Sequence, residues 1–182
     1  MTEREYQLKV KKILSNIYGE VQVQWHPFFG QGRRIYSPAI DIAVGPYAIH
    51  ERYETRYTKL LRESRGFIAC LIKAHNQNVE SNEERISFKG ILHFNENARC
   101  LIGIEIENTG SKKHCMGDLV NASALGRIGL LIAWSPTVLR TFLRQRVYLG
   151  YLASVGKNSF RTKNALILTK DQFDRCLKGI TR

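Results

Sequence analysis

The chain has 182 residues, 43% hydrophobic and 24% charged, a globular composition that excludes a disordered or collagenous chain and fits one domain. Lys and Arg number 28 against 16 Asp and Glu, and the net charge of +12 points to a polyanionic partner, either nucleic acid or an anionic membrane surface. The longest apolar run, 128–134, has seven residues, far from the ~20 that span a bilayer.

Residues 4–18 predict an amphipathic helix, with Tyr6, Val10, Ile13, Leu14 and Ile17 at helical spacing and Gly19 ending it. The opening segment has no apolar core or small-residue cleavage site, so no secretory signal is expected there. VQVQW (21–25) alternates as a half-buried strand does, 26–34 is a loop broken by Pro27, Gly30 and Gly32, and 37–44 reads as a strand closed by Gly45-Pro46. Residues 51–77 are helical, as one helix or two broken near Ser64-Arg65-Gly66, and 76–84 is the most polar stretch, expected as a flexible loop. Three strands, 86–88, 91–94 and 100–107, suggest an antiparallel meander. Then follow a loop 108–114, a helix 116–125, a buried strand 128–134, and a helix from Ser135-Pro136 to about Tyr148. A short strand 165–168 and a final helix 170–179, opened by a Thr169/Gln172 capping box, complete the chain. The result is an α/β domain spanning 1–182, with a mixed sheet flanked by helices, a helical insertion around 51–77, and a parallel crossover from 100–107 to 128–134. Cys70, Cys100, Cys115 and Cys176 form no CxxC pair, so the expectation is a reduced, cytoplasmic protein without disulfide scaffold or structural zinc.

Three acids stand where a buried strand should be apolar. Asp41 lies between Ile40 and Ile42, and Glu105 and Glu107 alternate with Ile104 and Ile106. Residues i and i+2 of a strand share a face, so the two glutamates emerge side by side, where they repel each other and resist desolvation unless a positive charge sits between them. Two sources of that charge are open, neighbouring Lys and Arg or a divalent cation such as Mg²⁺, which prefers carboxylate, water and phosphate oxygens. Lys112, Lys113 and His114 follow in the loop; cations beside metal-bound carboxylates suit a scissile phosphate, and His114 is a candidate general base. No phosphate-binding GxxxxGK[ST] loop is present.

The pattern SPAID (37–41), IEIE (104–107), then a helix and a strand resembles the PD-(D/E)XK nuclease superfamily over about residues 1–134. Two residues separate Pro38 from Asp41, 63 separate Asp41 from Glu105, and Glu107 stands in the place of the usual lysine. The resemblance implies a restriction endonuclease-like fold in which Asp41 and Glu105 hold Mg²⁺ (or Mn²⁺) with Glu107, and Glu107 positions or activates the attacking water. Lys113 or Lys112 would supply the charge of the missing lysine. An N-terminal helix often contributes a further acid in that family, and Glu20 is the candidate for it here.

The remaining cations extend this reading. Residues 101–182 carry thirteen basic and five acidic side chains. Asn121 could approach the acids or a phosphate, and Arg127 could contact backbone phosphate. In the basic C-terminal extension 135–182, Arg140 and Arg144 lie i,i+4 on one helix with Arg146 nearby, and Lys157, Arg161 and Lys163 follow among Tyr148, Tyr151 and Phe160, aromatics that belong either to the core or to a base-stacking surface. That extension is either a DNA-contacting module or the interface of a homodimer. A membrane is not the expected partner, because the best amphipathic helix, 4–18, has Glu3 and Glu5 at its start. The expected function is metal-dependent hydrolysis of nucleic acid, DNA ahead of RNA, as an endonuclease of restriction or repair type. The alternative is a non-catalytic nucleic-acid-binding or accessory protein on the same fold.

Overall fold

The computed structural model describes residues 1–28, 36–80, 85–158 and 161–180. In chain order the elements are α1 (Glu3–Tyr18), β1 (Val21–Trp25), β2 (Ile40–Val44), α2 (Glu54–Glu63), α3 (Arg65–Asn78), α4 (Phe88–Ile91), β3 (Cys100–Glu107), α5 (Lys112–Leu125), β4 (Gly126–Ala133), α6 (Pro136–Ser154), β5 (Ala165–Thr169) and α7 (Lys170–Ile180). The strands form one mixed sheet in the order β1-β2-β3-β4-β5. The pairs β1/β2 and β2/β3 are antiparallel, whereas β3/β4 and β4/β5 are parallel. This is the expected α/β class, with the expected parallel crossover through α5.

Helices cover both faces. Tyr6, Val10 and Leu14 of α1, Leu71 of α3 and Phe173 of α7 pack with Ile102, Ile104 and Ile106 of β3 on one side. On the other, Cys115, Leu119 and Ala122 of α5 pack with Leu131 of β4 and Phe142 of α6. Every residue of β3 and β4 is consequently buried, which explains their nearly unbroken apolar sequence. Alternation along β3 sends Gly103, Glu105 and Glu107 to the α5 side.

Three glycines bring α5 down onto that side. A Cβ on Gly126 would lie 2.7 Å from the Gly103 nitrogen and 2.9 Å from the Ala122 oxygen, and one on Gly129 would lie 2.8 Å from the Ala122 carbonyl carbon and 2.9 Å from the Ser123 nitrogen. The α5 backbone at 122–123 thus rests directly on the sheet beside the Gly103–Gly129 pair. Four helical residues rise about 6 Å and two strand residues about 6.6 Å. With Ala122 fixed over Gly103, Asp118 therefore comes alongside Glu105 and His114 alongside Glu107.

Several expectations are corrected. Residues 86–94 form no strands: Ser87 accepts the Gly90 N–H and opens the single turn α4. The N–H and C=O of Ile86 both bond to the Asn76 side chain, which removes the need for a sheet partner. Strand β2 begins at Ile40, because Pro38 has no N–H to offer a ladder and the Ser37 hydroxyl accepts the Phe28 N–H instead. Lys112, Lys113 and His114 form the first turn of α5, and α6 runs to Ser154. Residues 135–182 are no appendage, since β5 extends the sheet and α7 fills one face. Cys70 of α3 and Cys176 of α7 form a disulfide across 106 residues of sequence; the packing of two distant helices brings these thiols together, and no short spacing announces it. Most of 26–34, part of the polar stretch 76–84, and Phe160 lie outside the described residues. No helix among the described residues is long and apolar enough to cross a membrane.

Gly129→Ala is expected to lower the unfolding free energy by about 1–3 kcal/mol in a denaturant titration, because its methyl meets helix backbone that cannot rotate aside.

Candidate active site

The site begins where β2 and β3 part. Their ladder pairs Val44 with Ile102, Ala43 with Gly103 and Ile42 with Ile104, so the next pair would be Asp41 with Glu105. There carboxylates take the place of backbone carbonyls. The Asp41 N–H donates to Glu105 Oε2 at 3.1 Å, and the Ile106 N–H donates to Asp41 Oδ2 at 2.8 Å. Asp41 Oδ1 accepts two side-chain amides, Gln7 Nε2 at 3.0 Å and Gln24 Nε2 at 2.9 Å. Gln24 holds this position at φ 52°, a left-handed conformation that costs a residue with a Cβ roughly 1–2 kcal/mol.

Helix α1 supplies the next layer. A Thr2/Glu5 capping box fixes its first turn, and Glu3 and Gln7, four residues apart, share the face toward Asp41. Gln7 is buried at 2% exposure. From the opposite side α5 presents His114 and Asp118, also i,i+4. The His114 Nδ1 lies 3.9 Å from Glu107 Oε2. Glu107 Oε1 accepts the Thr109 N–H and hydroxyl, both at 2.6 Å, and the Gly110 N–H at 3.2 Å, so it closes the turn that leads into α5.

Five acids lie within electrostatic reach of one another, and burial is the first cause of the shifts at Glu3, Asp41, Glu105 and Asp118. It raises Glu105 well above the usual carboxylate range, with the charges of Asp41 and Asp118 adding to the shift. Asp118 is pushed up to about 7 by burial, then by Glu107, Asp41 and Glu3. Burial also raises Glu3, helped by Asp41 and Glu107. Asp41 is raised by burial although the Ile106, Gln24 and Gln7 donors oppose the shift. Glu105 is 4% exposed and its Oε1 has no hydrogen-bond partner. A buried, unpartnered carboxylate oxygen facing other carboxylates is a position a cation would satisfy. Among the described residues no three acidic, histidine or cysteine side chains stand together as a metal-holding group.

The predicted residues divide clearly. Asp41 and Glu105 touch, while Glu107, two residues on along β3, is bonded within its own turn with His114 3.9 Å away and Lys112 and Lys113 exposed on the first turn of α5. Asn121 is half-buried, three residues beyond Asp118. Glu20 is not part of the cluster: it lies beside Gly45 at the far end of β2, and its carboxylate stands 3.9 Å from Arg56. Arg127 is fully buried and donates to the Leu92 carbonyl and the Thr58 hydroxyl, so it meets no phosphate. Arg146 is buried as well, at 8% exposure. Arg161 is exposed but precedes β5, at the end of the parallel strands opposite the acids, where it lines a cavity of about 550 Å³ with His93, Glu96 and Lys163. Lys157 is exposed just beyond α6. Arg140, Arg144, Tyr148 and Tyr151 are all exposed on α6. Glu3, Gln7, Gln24 and Asp118 were missed, although the i,i+4 pairs Glu3/Gln7 and His114/Asp118 carry the signal.

No protein-family model matches the chain, and neither does any curated protein or solved structure.

The native state holds protons on these acids to higher pH than the unfolded chain does, so stability falls as pH rises from about 4 through 7. Asp118→Asn removes part of that loss. The variant is expected to melt at least about 2–4 °C above the parent at pH 8 and to match it more closely at pH 5, as read by calorimetry.

Proposed function

We propose that this chain is a metal-dependent phosphodiesterase that cleaves nucleic acid, DNA ahead of RNA, on a restriction endonuclease-like version of the α/β fold. The observation that carries the reading is the meeting of Asp41 and Glu105 at the parting of β2 and β3, with Glu105 Oε1 buried and unpartnered. The antiparallel β1-β2-β3 run followed by a parallel crossover to β4 supports it, as does the lysine pair at the start of α5.

In this reading Asp41 and Glu105 hold Mg²⁺ or Mn²⁺, with Glu3 and Asp118 close enough to adjust the charge of the site. The cation, when bound, polarises the phosphate and lowers the pKa of a water. Glu107 presents Oε2 toward His114 while its Oε1 stays in the turn, so the pair can receive and pass on a proton of the attacking water. Lys112 and Lys113 face solvent where a phosphate backbone would arrive, and the N-terminus of α5 adds its own partial positive charge.

One observation favours a second reading, a non-catalytic nucleic-acid-binding protein. Glu107 occupies the motif's lysine position and is engaged by three donors of its own turn, so the local structure accounts for it without chemistry.

Nicking of supercoiled plasmid separates the two readings. Cleavage in Mg²⁺ or Mn²⁺ is expected to fall at least about 100-fold in Glu105→Gln and in Asp41→Asn, with binding in EDTA retained. Absence of cleavage by the parent in either metal, on plasmid and on single-stranded DNA alike and with binding intact, establishes the second reading. In the same proteins Mg²⁺ should raise the melting temperature of the parent at pH 8 but not that of Glu105→Gln.

A further inference from the structure

Helix α6 carries a surface that neither the acids nor the core explains. Its buried face comprises Val138, Phe142, Arg146 and Leu149. On the opposite side Arg140, Arg144, Val147, Tyr148, Tyr151 and Val155 recur at spacings of three and four, and so form one stripe. The apolar members are strongly exposed: Val147 47%, Tyr148 54%, Tyr151 62% and Val155 48%. Two neighbouring tyrosines open to solvent lose their contribution to folding, so their rings are available to something else.

The surroundings indicate what that is. Between Asp118 and Asp171 the sequence contains no acidic residue and eight Lys or Arg. A stripe without a counter-charge fits a polyanion and resists a second copy of itself. In an interfacial membrane helix the cations lie on the side opposite the apolar residues, whereas here arginines and tyrosines share one side and are sorted along its length. Helix α6 also adjoins the proposed active site, through a residue beside the stripe. Gln145 Nε2 donates to the Lys112 carbonyl at 2.7 Å, tying the middle of α6 to the turn that bears Lys112, Lys113 and His114.

We infer that α6 is a docking platform for an unpaired stretch of nucleic acid, with Arg140 and Arg144 on its phosphates and Tyr148 and Tyr151 against its bases. The inference rests on the nuclease reading and names its substrate class, a strand that is single or carries a flap or frayed end. The physical ground is access. A ring on a convex helix can stack only on a free base face, and inside a duplex every base face is covered by its neighbours. Arginine contacts to phosphate are indifferent to that distinction, so the tyrosines carry the preference.

Fluorescence anisotropy in EDTA tests this with the full chain, using a labelled single-stranded oligonucleotide and the duplex of the same sequence. The single strand is expected to bind more tightly. Tyr148→Ala with Tyr151→Ala should weaken it by about 10–100-fold while changing duplex affinity less than about twofold, and the Phe pair should restore binding because the ring is kept. Arg140→Gln with Arg144→Gln should weaken both forms and flatten the salt dependence. Equal losses on single strand and duplex, or no loss with alanine, overturn the platform. So does a tyrosine pair whose replacement changes the sedimentation of the free protein, because the ridge is then a contact between copies, or abolishes binding to anionic vesicles, because it is then a membrane surface. Since the anisotropy is read in EDTA, strand preference that persists in Glu105→Gln while the parent cuts neither plasmid nor the single-stranded oligonucleotide in Mg²⁺ or Mn²⁺ sinks the catalytic reading and leaves the platform standing.

Discussion

A carboxylate inside a sheet has lost its water, and something must replace the hydrogen bonds that water supplied. Asp41 and Glu105 solve this by becoming part of the ladder: each accepts an N–H that a backbone carbonyl would otherwise take. The substitution has a geometric consequence, because two strands joined through side chains stand farther apart than two joined directly. The parting of β2 and β3 and the presence of the acids are therefore one feature. Gln7 and Gln24 complete the arrangement as neutral donors, which stabilise the ionised Asp41 without forming a salt bridge that would cancel its charge. What remains unsatisfied is Glu105 Oε1, and that residue of unmet demand makes the cluster look like a binding site and not only a tolerated oddity.

The glycines under α5 set the other side of the site. With Gly103, Gly126 and Gly129 holding the helix against the sheet, the matching rises of helix and strand carry the register forward to His114 and Asp118. A side chain at 129 would lift the helix and loosen that correspondence. The small residues in CLIGIEIE and GRIGLLIA are thus as much a part of the site as the glutamates, though they touch nothing that reacts.

How much of this could be read from the sequence follows from the range of each interaction. Local devices were legible: the Ser135-Pro136 start of α6, the Thr169/Gln172 box that opens α7, and the period-two placement of Glu105 and Glu107. Wherever a side chain stands in for backbone at a distance, the pattern misleads. Ile86 has the apolar look of a strand residue, yet Asn76 supplies its partner. Arg127 looks like a cation at a turn, yet the carbonyl of Leu92 and the hydroxyl of Thr58 receive it inside the core. Glu20 sits at the end of the right helix but at the wrong end of β2, because the antiparallel register pairs that end with Gly45 and not with Asp41. The Cys70–Cys176 bridge was hidden for the same reason, being a contact between α3 and α7. The tyrosines of α6 were undecided until the buried face of that helix was known, since helical spacing alone does not say which stripe faces out.

The distribution of charge raises a problem that the buried acids themselves resolve. A chain of net charge +12 attracts a polyanion, yet its candidate site gathers acids and would repel the phosphate that the proposed reading brings to it. Burial changes that balance. Desolvation and mutual repulsion raise Glu3, Asp41, Glu105 and Asp118 together, Asp118 up to about 7, so the cluster presents less negative charge near neutral pH than five solvated carboxylates would. In the proposed reading a divalent cation would displace the protons held there and neutralise the carboxylates in their place. On that reading the cost of burying acids and the capacity to accept a phosphate among them have one origin, and a site built from fully solvated carboxylates would lack both.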